Sequence, residues 1–300
     1  MQKNQTRRLG ICFTAASLIE VCVQPSPGLV SPMDAGAHID MSLITFMVGT
    51  SVLAPYFTLF ADLGYSKIDS SPAELFRELR ALGSQAERDL LKATAGVNTQ
   101  RGQLFLLGLA SGIAGLCIAR GQTIPSKEFY STVREACAGL CGRELAGIGA
   151  DEAKTTGELQ YLKLGVVGVR GEAEAGFPTV EQVGYPALDL GIRMGLSLND
   201  AGVHALINIM SVLVDTTVLG RLGSEGLITM HETARRILVS GSVFTESGRD
   251  MIREAHRQFS VMGLSPGGAA DLLALSMALY FIEHGLPESE VILTPSLFDA

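Results

Sequence analysis

The stretch Gly168-Val-Arg-Gly-Glu-Ala-Glu-Ala-Gly-Phe-Pro178 lies between an apolar segment and a new helical pattern that begins at Val180. Its three glycines and its proline predict a loop, because both residue types disfavour a stable helix. The loop nevertheless carries the guanidinium of Arg170 and the carboxylates of Glu172 and Glu174. A surface loop with an internal ion pair explains this mixture equally well. Its meaning therefore depends on the rest of the chain.

The composition limits the kinds of partner that the protein can bind. A chain of 300 residues is long enough to bury a large core, and a hydrophobic share of 47% with 18% charged residues is apolar for a soluble protein. The net charge of −8 argues against nucleic-acid binding, which needs a basic surface. Anionic small molecules stay open as ligands, because local basic groups can outweigh the overall charge.

Two long uncharged segments, residues 43–61 and 102–119, raise the question of a membrane. By length alone, each of them spans a bilayer. Both contain polar residues and neither has lysine-rich flanks, so we predict that they are buried core helices. In the second segment, Gly108, Gly112 and Gly115 share one narrow face, which allows another helix to approach closely.

Helical periodicity covers nearly the whole chain and alternating strand patterns are almost absent, so the expected fold class is all-α. We expect a frayed N-terminus at residues 1–8 and a single compact multi-helix domain over residues 9–300. Helices are expected over residues 9–23, from near His38 past Pro55 with a kink or break at that proline, from Pro72 with Ser71 as its N-cap, and over residues 199–219. The five cysteines are expected to be reduced thiols of a cytoplasmic protein.

Two glycine-containing stretches stand immediately before apolar helices. In Ser265-Pro-Gly-Gly-Ala-Ala-Asp271, Ser265 is expected to cap the helix, and the glycines leave backbone N–H groups bare for an anion. In Thr94-Ala-Gly-Val-Asn-Thr-Gln-Arg-Gly102, capping side chains and an arginine suited to phosphate precede the helix. An ordinary helix start is the alternative for each, and neither stretch has the G-x-x-x-x-G-K-[ST] motif of a P-loop.

Two more polar breaks carry ionisable side chains. The run Pro27-Gly-Leu-Val-Ser-Pro32 leads to a helix start at which His38 and Asp40 stand. Asp215 interrupts an otherwise apolar helix, where a buried carboxylate needs a charged partner or a metal. The alternatives are a structural histidine, an acidic residue that complements the helix dipole, and an ion pair at a helix end.

Together the breaks gather side chains that suit a polyphosphate accompanied by Mg²⁺. Carboxylate oxygens are the ligands that Mg²⁺ prefers, whereas arginines and helix N-termini bind phosphate oxygens. We therefore expect the glycine-rich loops to converge on one nucleotide site. Its acidic members are Asp40, Glu172, Glu174, Asp215 and Asp271, and its basic members are Arg101, Arg170 and Arg221.

These segments resemble the triphosphoribosyl-dephospho-CoA synthase family, which serves citrate lyase and malonate decarboxylase. The family pattern contains K-P-G-L-V, G-A-H-x-D-M, G-G-V-N-T-H-K-G, G-x-R-G-E-A-x-x-G-F-P, D-T-N and S-P-G-G-S-A-D-L-L-A. The chain matches these motifs in the same order, at residues 27–30, 36–41, 96–99, 168–178, 215–216 and 265–274. It departs at Ser26 for lysine, Gln100-Arg101 for His-Lys, Thr217 for asparagine and Ala269 for serine. Because two lysines are lost, the cation that binds each phosphate stays open.

The resemblance implies an all-α transferase. Such an enzyme cleaves the adenine–ribose bond of ATP and joins the triphosphoribosyl group to the 2′-hydroxyl of 3′-dephospho-CoA. The product is the prosthetic-group precursor of an acyl carrier subunit and is passed to a separate acyl-carrier transferase. Mg²⁺ is the expected cofactor. The expected location is the cytoplasm, with no nucleic-acid or membrane partner, and the apolar composition is compatible with a homodimer.

For this reaction we expect Glu172, Glu174 and Asp215 to be catalytic, because an oxocarbenium-like transition state needs nearby negative charge and the attacking hydroxyl needs a base. We expect Asp40, Asp215 and Asp271 to bind the metal. The expected nucleotide-binding residues are Gly28, His38, Asn98, Thr99, Arg101, Arg170, Arg221, Ser265, Gly267 and Gly268. Two other interpretations stay open, a nucleotide-dependent hydrolase on the same scaffold and a non-enzymatic helical membrane or interaction protein.

Overall fold

The computed structural model describes residues 2–147, 153, 155–287 and 294–298, and over these ranges the chain is all-α, as expected. The α-helices are α1 (Gln2–Glu20), α2 (Leu43–Ser66), α3 (Pro72–Ala93), α4 (Arg101–Ala119), α5 (Lys127–Cys137), α6 (Leu140–Glu144), α7 (Thr156–Leu164), α8 (Gly168–Glu174), α9 (Tyr185–Arg193), α10 (Leu198–Met210), α11 (Thr216–Val239), α12 (Glu246–Met262) and α13 (Gly267–His284). A π-helical turn at Val180–Gly184 leads into α9, and a 3-10 turn at Ser242–Phe244 precedes α12.

The centre of the core is formed by α4 and α13, which are apolar on all sides. A helix of this kind is stable only when other elements surround it. Helices α1, α2, α3 and α13 pack around α4, and α1, α4, α9 and α10 pack around α13. Phe57, Phe60 and Phe281 fill the space between these helices and are at most 1% exposed.

Glycines bring the backbones of α2 and α4 into direct contact. A Cβ atom on Gly64 would overlap the carbonyl oxygen of Gly112, and a Cβ atom on Gly115 would overlap that of Ala61. The narrow glycine face predicted from the sequence of α4 is therefore confirmed as a helix–helix contact.

We expect Gly115→Ala to lower the free energy of unfolding by roughly 2 to 3 kcal/mol, the usual effect of overpacking a core. The added methyl group meets a backbone carbonyl, which cannot rotate away as a side chain can. Urea denaturation measures the change. The control is Gly142→Ala in α6, where the added methyl group meets open space. If both variants unfold like the wild type, the α2–α4 contact is looser than described.

Both α2 and α4 are long and apolar enough to cross a membrane, judged by length and composition alone. In α4, 78% of the most apolar 18-residue window is buried inside the protein, as expected for a core helix. Only 33% of the corresponding window of α2 is buried. Helix α2 therefore lies at the edge of the bundle, with Ile44 and Leu59 exposed on its outer face.

The first helix is longer than the sequence pattern predicted. It begins at Gln2 instead of Leu9, and Thr6 is already buried. Fraying of residues 1–8 in solution and the extent of the domain over residues 9–300 stay predictions.

The second and third helices agree with the sequence only in part. Helix α2 begins at Leu43, after the polar stretch around His38. It continues past Pro55 as predicted and is not broken there, and a kink at Pro55 stays a prediction. Helix α3 begins as predicted, with Ser71 as the N-cap in a capping box with Glu74.

Candidate active site

The N-termini of α11 and α13 meet at the side chain of Asp215. Its Oδ1 accepts hydrogen bonds from the backbone N–H groups of Thr217 (2.8 Å) and Val218 (3.2 Å), at the start of α11. Its Oδ2 accepts one from the N–H group of Ala269 (3.0 Å), at the start of α13. Asp215 is 1% exposed. One buried carboxylate thus caps two helices that are far apart in the sequence.

The prediction that Asp215 lies inside a helix over residues 199–219 is wrong. Helix α10 ends at Met210, and Asp215 is the N-cap of the next helix. Burial raises the pKa of Asp215, and hydrogen bonds from four backbone amides oppose this effect. Two helix N-termini supply the positive potential that we had attributed to a metal. The catalytic and metal-binding roles of Asp215 stay predictions.

His38, Ser265 and Arg221 come together beside this junction. Ser265 does not cap α13 as predicted, because Asp215 does so, and its Oγ lies 2.8 Å from His38 Nε2 instead. Arg221 donates to the carbonyl oxygen of Ala37 (2.6 Å) and lies 3.4 Å from His38 Nδ1. Burial and then the charge of Arg221 lower the pKa of His38, which favours the neutral imidazole.

The predicted glycines lie where the backbone must approach other groups closely. Gly28 has a φ of +71°, and a Cβ atom there would overlap the carbonyl oxygen of Leu264. A Cβ atom on Gly267 would lie 3.2 Å from the Thr217 side chain, and one on Gly268 would lie 3.0 Å from Asp215 Oδ2. The two glycines of α13 therefore let its N-terminus pack directly on that of α11.

A third helix N-terminus, that of α4, adjoins the junction through Asp271. The Asp271 carboxylate packs on Gly102, where a Cβ atom would overlap it, and it accepts a hydrogen bond from the backbone N–H group of Gln103. The Gln103 side chain in turn donates to Glu20 Oε2 (3.2 Å). Asp271 is partly exposed, whereas Glu20, the last residue of α1, is 6% exposed.

Within the described ranges, no cationic side chain forms an ion pair with Glu20 or Asp271. Burial raises the pKa of Glu20 to about 8, against the opposing effect of its hydrogen bond to Gln103. Burial also raises the pKa of Asp271 well above its ordinary value, and the negative charges of Glu20 and Asp215 raise it further. Two carboxyl groups in this environment hold at least one proton near neutral pH. Such a pair suits acid–base chemistry.

A buried network of polar side chains holds the Gln103 side chain, which in turn contacts Glu20. Gln100 Nε2 donates to Ser17 Oγ (3.0 Å), Thr50 Oγ1 (2.8 Å) and Gln103 Oε1 (3.0 Å). These four side chains are at most 1% exposed. Because the network fixes the Gln103 side chain, it also fixes the oxygen of Glu20 that Gln103 contacts.

The stretch from Gly168 to Pro178 is partly helical, so the prediction of a loop throughout is wrong. Its first seven residues form α8. Gly168 and Gly176 have φ values of +55° and +80°, in the left-handed region of backbone conformation. They stand at the ends of α8, where this conformation does not interrupt the helix. Only Gly171 lies in the interior.

Arg170 is held by two acidic residues from other helices. Its Nε donates to Glu144 Oε2 (2.8 Å) in α6, and its Nη2 donates to Glu158 Oε1 (3.2 Å) in α7. The start of α8 lies beside the start of α11, where Gly168 packs on the side chain of Thr216. Arg170 therefore joins three helices next to the junction, and its role as a nucleotide ligand stays a prediction.

Glu172 and Glu174 each bind a different backbone segment. Glu172 accepts hydrogen bonds from the hydroxyl (2.6 Å) and N–H group (3.2 Å) of Thr179, and burial raises its pKa. Glu174 accepts from the N–H groups of Gly139 (2.8 Å) and Cys141 (3.0 Å), and hydrogen bonding to Cys141 lowers its pKa. The structure does not bring their carboxylates together with that of Asp215. Their catalytic roles stay predictions.

The stretch before α4 contributes little that is fixed in this structure. Arg101 forms an ion pair with Glu87 of α3. Asn98 is exposed, and the hydroxyl of Thr99 is buried without a hydrogen-bond partner among the residues described.

The three aspartates expected to bind a metal do not form one ligand set. Asp40 has a 58% exposed side chain next to His38 (3.5 Å), whereas Asp215 is enclosed by backbone amides. In the part of the chain that the structure describes, no group of three or more His, Cys, Asp or Glu side chains is arranged to hold a metal ion. Metal binding by Asp40, Asp215 and Asp271 stays a prediction.

Sequence reasoning missed Glu20 and Gln103. A signal was present, because Glu20 is the sole charged residue between Leu9 and Val23. Burial of an acidic residue on an otherwise apolar helix destabilises the fold, so such a residue indicates a candidate functional site.

Comparison with known proteins places the whole chain in one group. The model of the ATP:dephospho-CoA triphosphoribosyl transferase family matches residues 6–290. A 2-(5''-triphosphoribosyl)-3'-dephosphocoenzyme-A synthase of Klebsiella pneumoniae is 36% identical over 88% of this chain and 87% of its own length. A probable synthase of the same name from Malonomonas rubra is 35% identical over 92% and 88%, and one from Escherichia fergusonii is 33% identical over 95% and 93%. No solved structure is detectably similar.

Proposed function

From the premise that the chain belongs to the ATP:dephospho-CoA triphosphoribosyl transferase family, we propose how its residues carry out the transfer. The enzyme moves the triphosphoribosyl group of ATP to the 2′-hydroxyl of 3′-dephospho-CoA and releases adenine. The product is the prosthetic-group precursor of an acyl carrier subunit. Neither a hydrolase nor a non-enzymatic membrane or interaction protein is supported by the comparisons.

The observation that carries our assignment of the site is the junction of the N-termini of α4, α11 and α13. Each N-terminus carries a positive partial charge, and the backbone N–H groups that Asp215 and Asp271 leave free can bind oxygens of the triphosphate. The backbone N–H groups of Thr216 and Gly267 stand at two of these ends and donate to no other group within the described residues. Arg221 and His38 lie beside them, in reach of the same anion.

Mg²⁺ enters, in this proposal, already bound to the phosphates of ATP. The aspartates do not fit a site held by protein ligands alone, because Asp215 is occupied by backbone amides and Asp40 is exposed next to His38. Mg²⁺ characteristically keeps phosphate and water ligands and needs few from the protein. When bound, the ion would neutralise charge on the triphosphate.

The proton of the acceptor hydroxyl goes, in this proposal, to Asp271, which is the ionised member of the pair while Glu20 holds the proton. The Asp271 carboxylate is partly exposed at the junction and accepts a hydrogen bond from the backbone N–H group of Gln103, whose side chain donates to Glu20. As the 2′-oxygen attacks the anomeric carbon, the hydroxyl proton passes to the carboxylate, and the carbon–nitrogen bond to adenine breaks. The electron pair of that bond leaves with adenine, which takes up a proton. For acid–base chemistry we therefore propose Asp271 and Glu20 in place of the sequence-based candidates Glu172, Glu174 and Asp215.

We expect ATP, Mg²⁺ and dephospho-CoA to yield free adenine and an α-linked product, so that the β configuration in ATP inverts. The oxygens of Asp215 and Glu174 accept backbone hydrogen bonds, and those of Glu172 accept from the N–H group and the hydroxyl of Thr179, which leaves none of them free as a covalent nucleophile. A direct displacement needs only a base on the acceptor side. Mass analysis of the product and NMR of its linkage test this prediction.

Two outcomes would contradict it. A β linkage or a trapped ribosyl adduct on a carboxylate would establish a double displacement. Adenine release that continues without dephospho-CoA would favour the nucleotide-dependent hydrolase.

The remaining partners are also proposals. We propose that the enzyme works in the cytoplasm, without a nucleic-acid or membrane partner, and passes its product to a separate acyl-carrier transferase. The acidic net charge of −8 supports the absence of a nucleic-acid partner. A homodimer is proposed on the apolar composition.

A further inference from the structure

A groove between α3 and α4 lies outside the junction of helix N-termini. It has a volume of about 50 Å³ and follows the two helices from Glu87 and Arg101 at one end to Phe76 and Leu109 at the other. The ion pair between Glu87 and Arg101 marks the first end.

The groove is apolar inside and charged along its rim. Its interior is lined by Phe60, Phe76, Leu79, Leu104 and Leu109. Its polar lining residues are Arg80, Ser84, Glu87 and Arg101. Arg80 lies over the ring of Phe105, with 5.5 Å between the guanidinium carbon and the ring centre.

One end of the groove opens beside the proposed reaction centre. Arg101 is the first residue of α4 and lines the groove, while the next residue, Gly102, packs on the carboxylate of Asp271. A ligand in the groove can therefore continue past the N-terminus of α4 to the site of transfer.

We propose that this groove binds the thiol end of the flexible arm of dephospho-CoA, an inference that rests on the proposed function. The arm is a thin chain of methylene and amide groups that ends in a thiol. Methylene groups and a thiol suit the apolar interior, while arginine N–H groups and the Glu87 carboxylate suit amide oxygens and amide N–H groups.

The adenine ring of ATP suits the groove less well. Since roughly 10–15 Å³ of such a cavity holds one water-sized group, a volume of about 50 Å³ takes a short chain end and not a purine.

Gly83→Leu is the sharpest test. Gly83 lines the groove within α3, and a Cβ atom there would lie 4.0 Å from Phe60, so the substitution fills the groove without a backbone clash. Replacing a glycine inside a helix also favours folding. We expect the KM for dephospho-CoA to rise by about tenfold or more, the loss of roughly 1.4 kcal/mol of binding, while the KM for ATP stays unchanged.

ADP is the second acceptor, because it is dephospho-CoA without the arm. The wild type should prefer dephospho-CoA over ADP, and Gly83→Leu should remove most of this preference while its kcat with ADP stays unchanged. Gly83→Ala controls for the helix, and Ala81→Leu adds the same bulk on the exposed side of α3. Both controls should behave like the wild type.

The outcomes separate the inference from the function on which it rests. If the wild type transfers to neither acceptor, the proposed function fails. If it transfers normally and Gly83→Leu keeps its KM for dephospho-CoA, or changes the KM for ATP instead, the groove does not bind the arm. Pantetheine offers a test that needs no variant, since it should inhibit the wild type competitively against dephospho-CoA. The absence of such inhibition would overturn the inference.

Discussion

The Asp215→Asn variant is expected to lose essentially all activity together with roughly 3 to 5 kcal/mol of stability. Asparagine keeps the shape of aspartate but replaces one acceptor oxygen by an NH₂ group. Oδ1 of Asp215 accepts from Thr217 and Val218, and Oδ2 accepts from Ala269. In either orientation of the amide, its NH₂ group therefore faces at least one backbone N–H group.

The expected cost has two parts. Each buried donor left without an acceptor costs about 1–3 kcal/mol. The lost negative charge also stabilised the positive ends of two helices, which contributes up to about 2 kcal/mol in a buried setting. When α11 and α13 separate, the N–H groups of Thr216 and Gly267, which we propose bind the triphosphate, no longer lie side by side.

Urea denaturation and turnover under conditions where the variant is folded check this prediction. The exposed Asp69→Asn serves as the matched control and should change neither quantity. A variant with wild-type stability that has lost only its affinity for Mg-ATP would instead support the metal role that the sequence predicted for Asp215.

The Glu20→Gln variant is expected to be more stable than the wild type at pH 8, by on the order of 4 kcal/mol, and equally stable at pH 4. Burial raises the pKa of Glu20 from 4.5 to about 8 in the folded protein. Between these values the unfolded chain gives up a proton that the folded protein retains. Stability of the wild type therefore falls as the pH rises through this window, and the difference is fully developed above pH 8.

Glutamine does not ionise, so in the variant this position makes no pH-dependent contribution to stability. Its amide oxygen can still accept the hydrogen bond from Gln103. Unfolding is measured between pH 4 and pH 8.5 without Mg²⁺ or nucleotide, since either could bind the ionised carboxyl group or its neighbours. The exposed Glu225→Gln is the control. Parallel stability curves for wild type and Glu20→Gln would mean that Glu20 is ionised in the folded protein at neutral pH.

The fold class followed from the sequence because apolar periodicity and helix-start signals are local. Ser71 and Glu74 form the predicted capping box, since such a box depends on residues three positions apart. The close approach of α4 and α2 could also be predicted from the sequence, because glycines on one face of a core helix let another helix pack closely against that face. Resemblance in the motifs identified the reaction.

The arrangement of the candidate site was harder to predict, because it depends on pairings between distant segments. Ser265 had the right residue type for a cap, but Asp215 reaches the same backbone groups from another helix. Arg170 resembled a phosphate ligand, yet Glu144 and Glu158 surround it in the fold. No local sequence pattern indicates which of several distant groups will bind a given side chain or backbone amide in the fold.

The junction at Asp215 has a consequence for protein synthesis. Its parts come from α1, α4, α11 and α13, so the nucleotide site that we propose there can form only after the last of these helices has left the ribosome. Until then, the carboxyl groups of Glu20 and Asp215 have no α13 beside them, and α4 lacks one of the helices that cover it. With the site at this junction, we expect a nascent chain to acquire affinity for ATP only at the end of its synthesis. A messenger truncated anywhere before the codon for Gly267 therefore yields a polypeptide without the site, however much of the bundle it encodes.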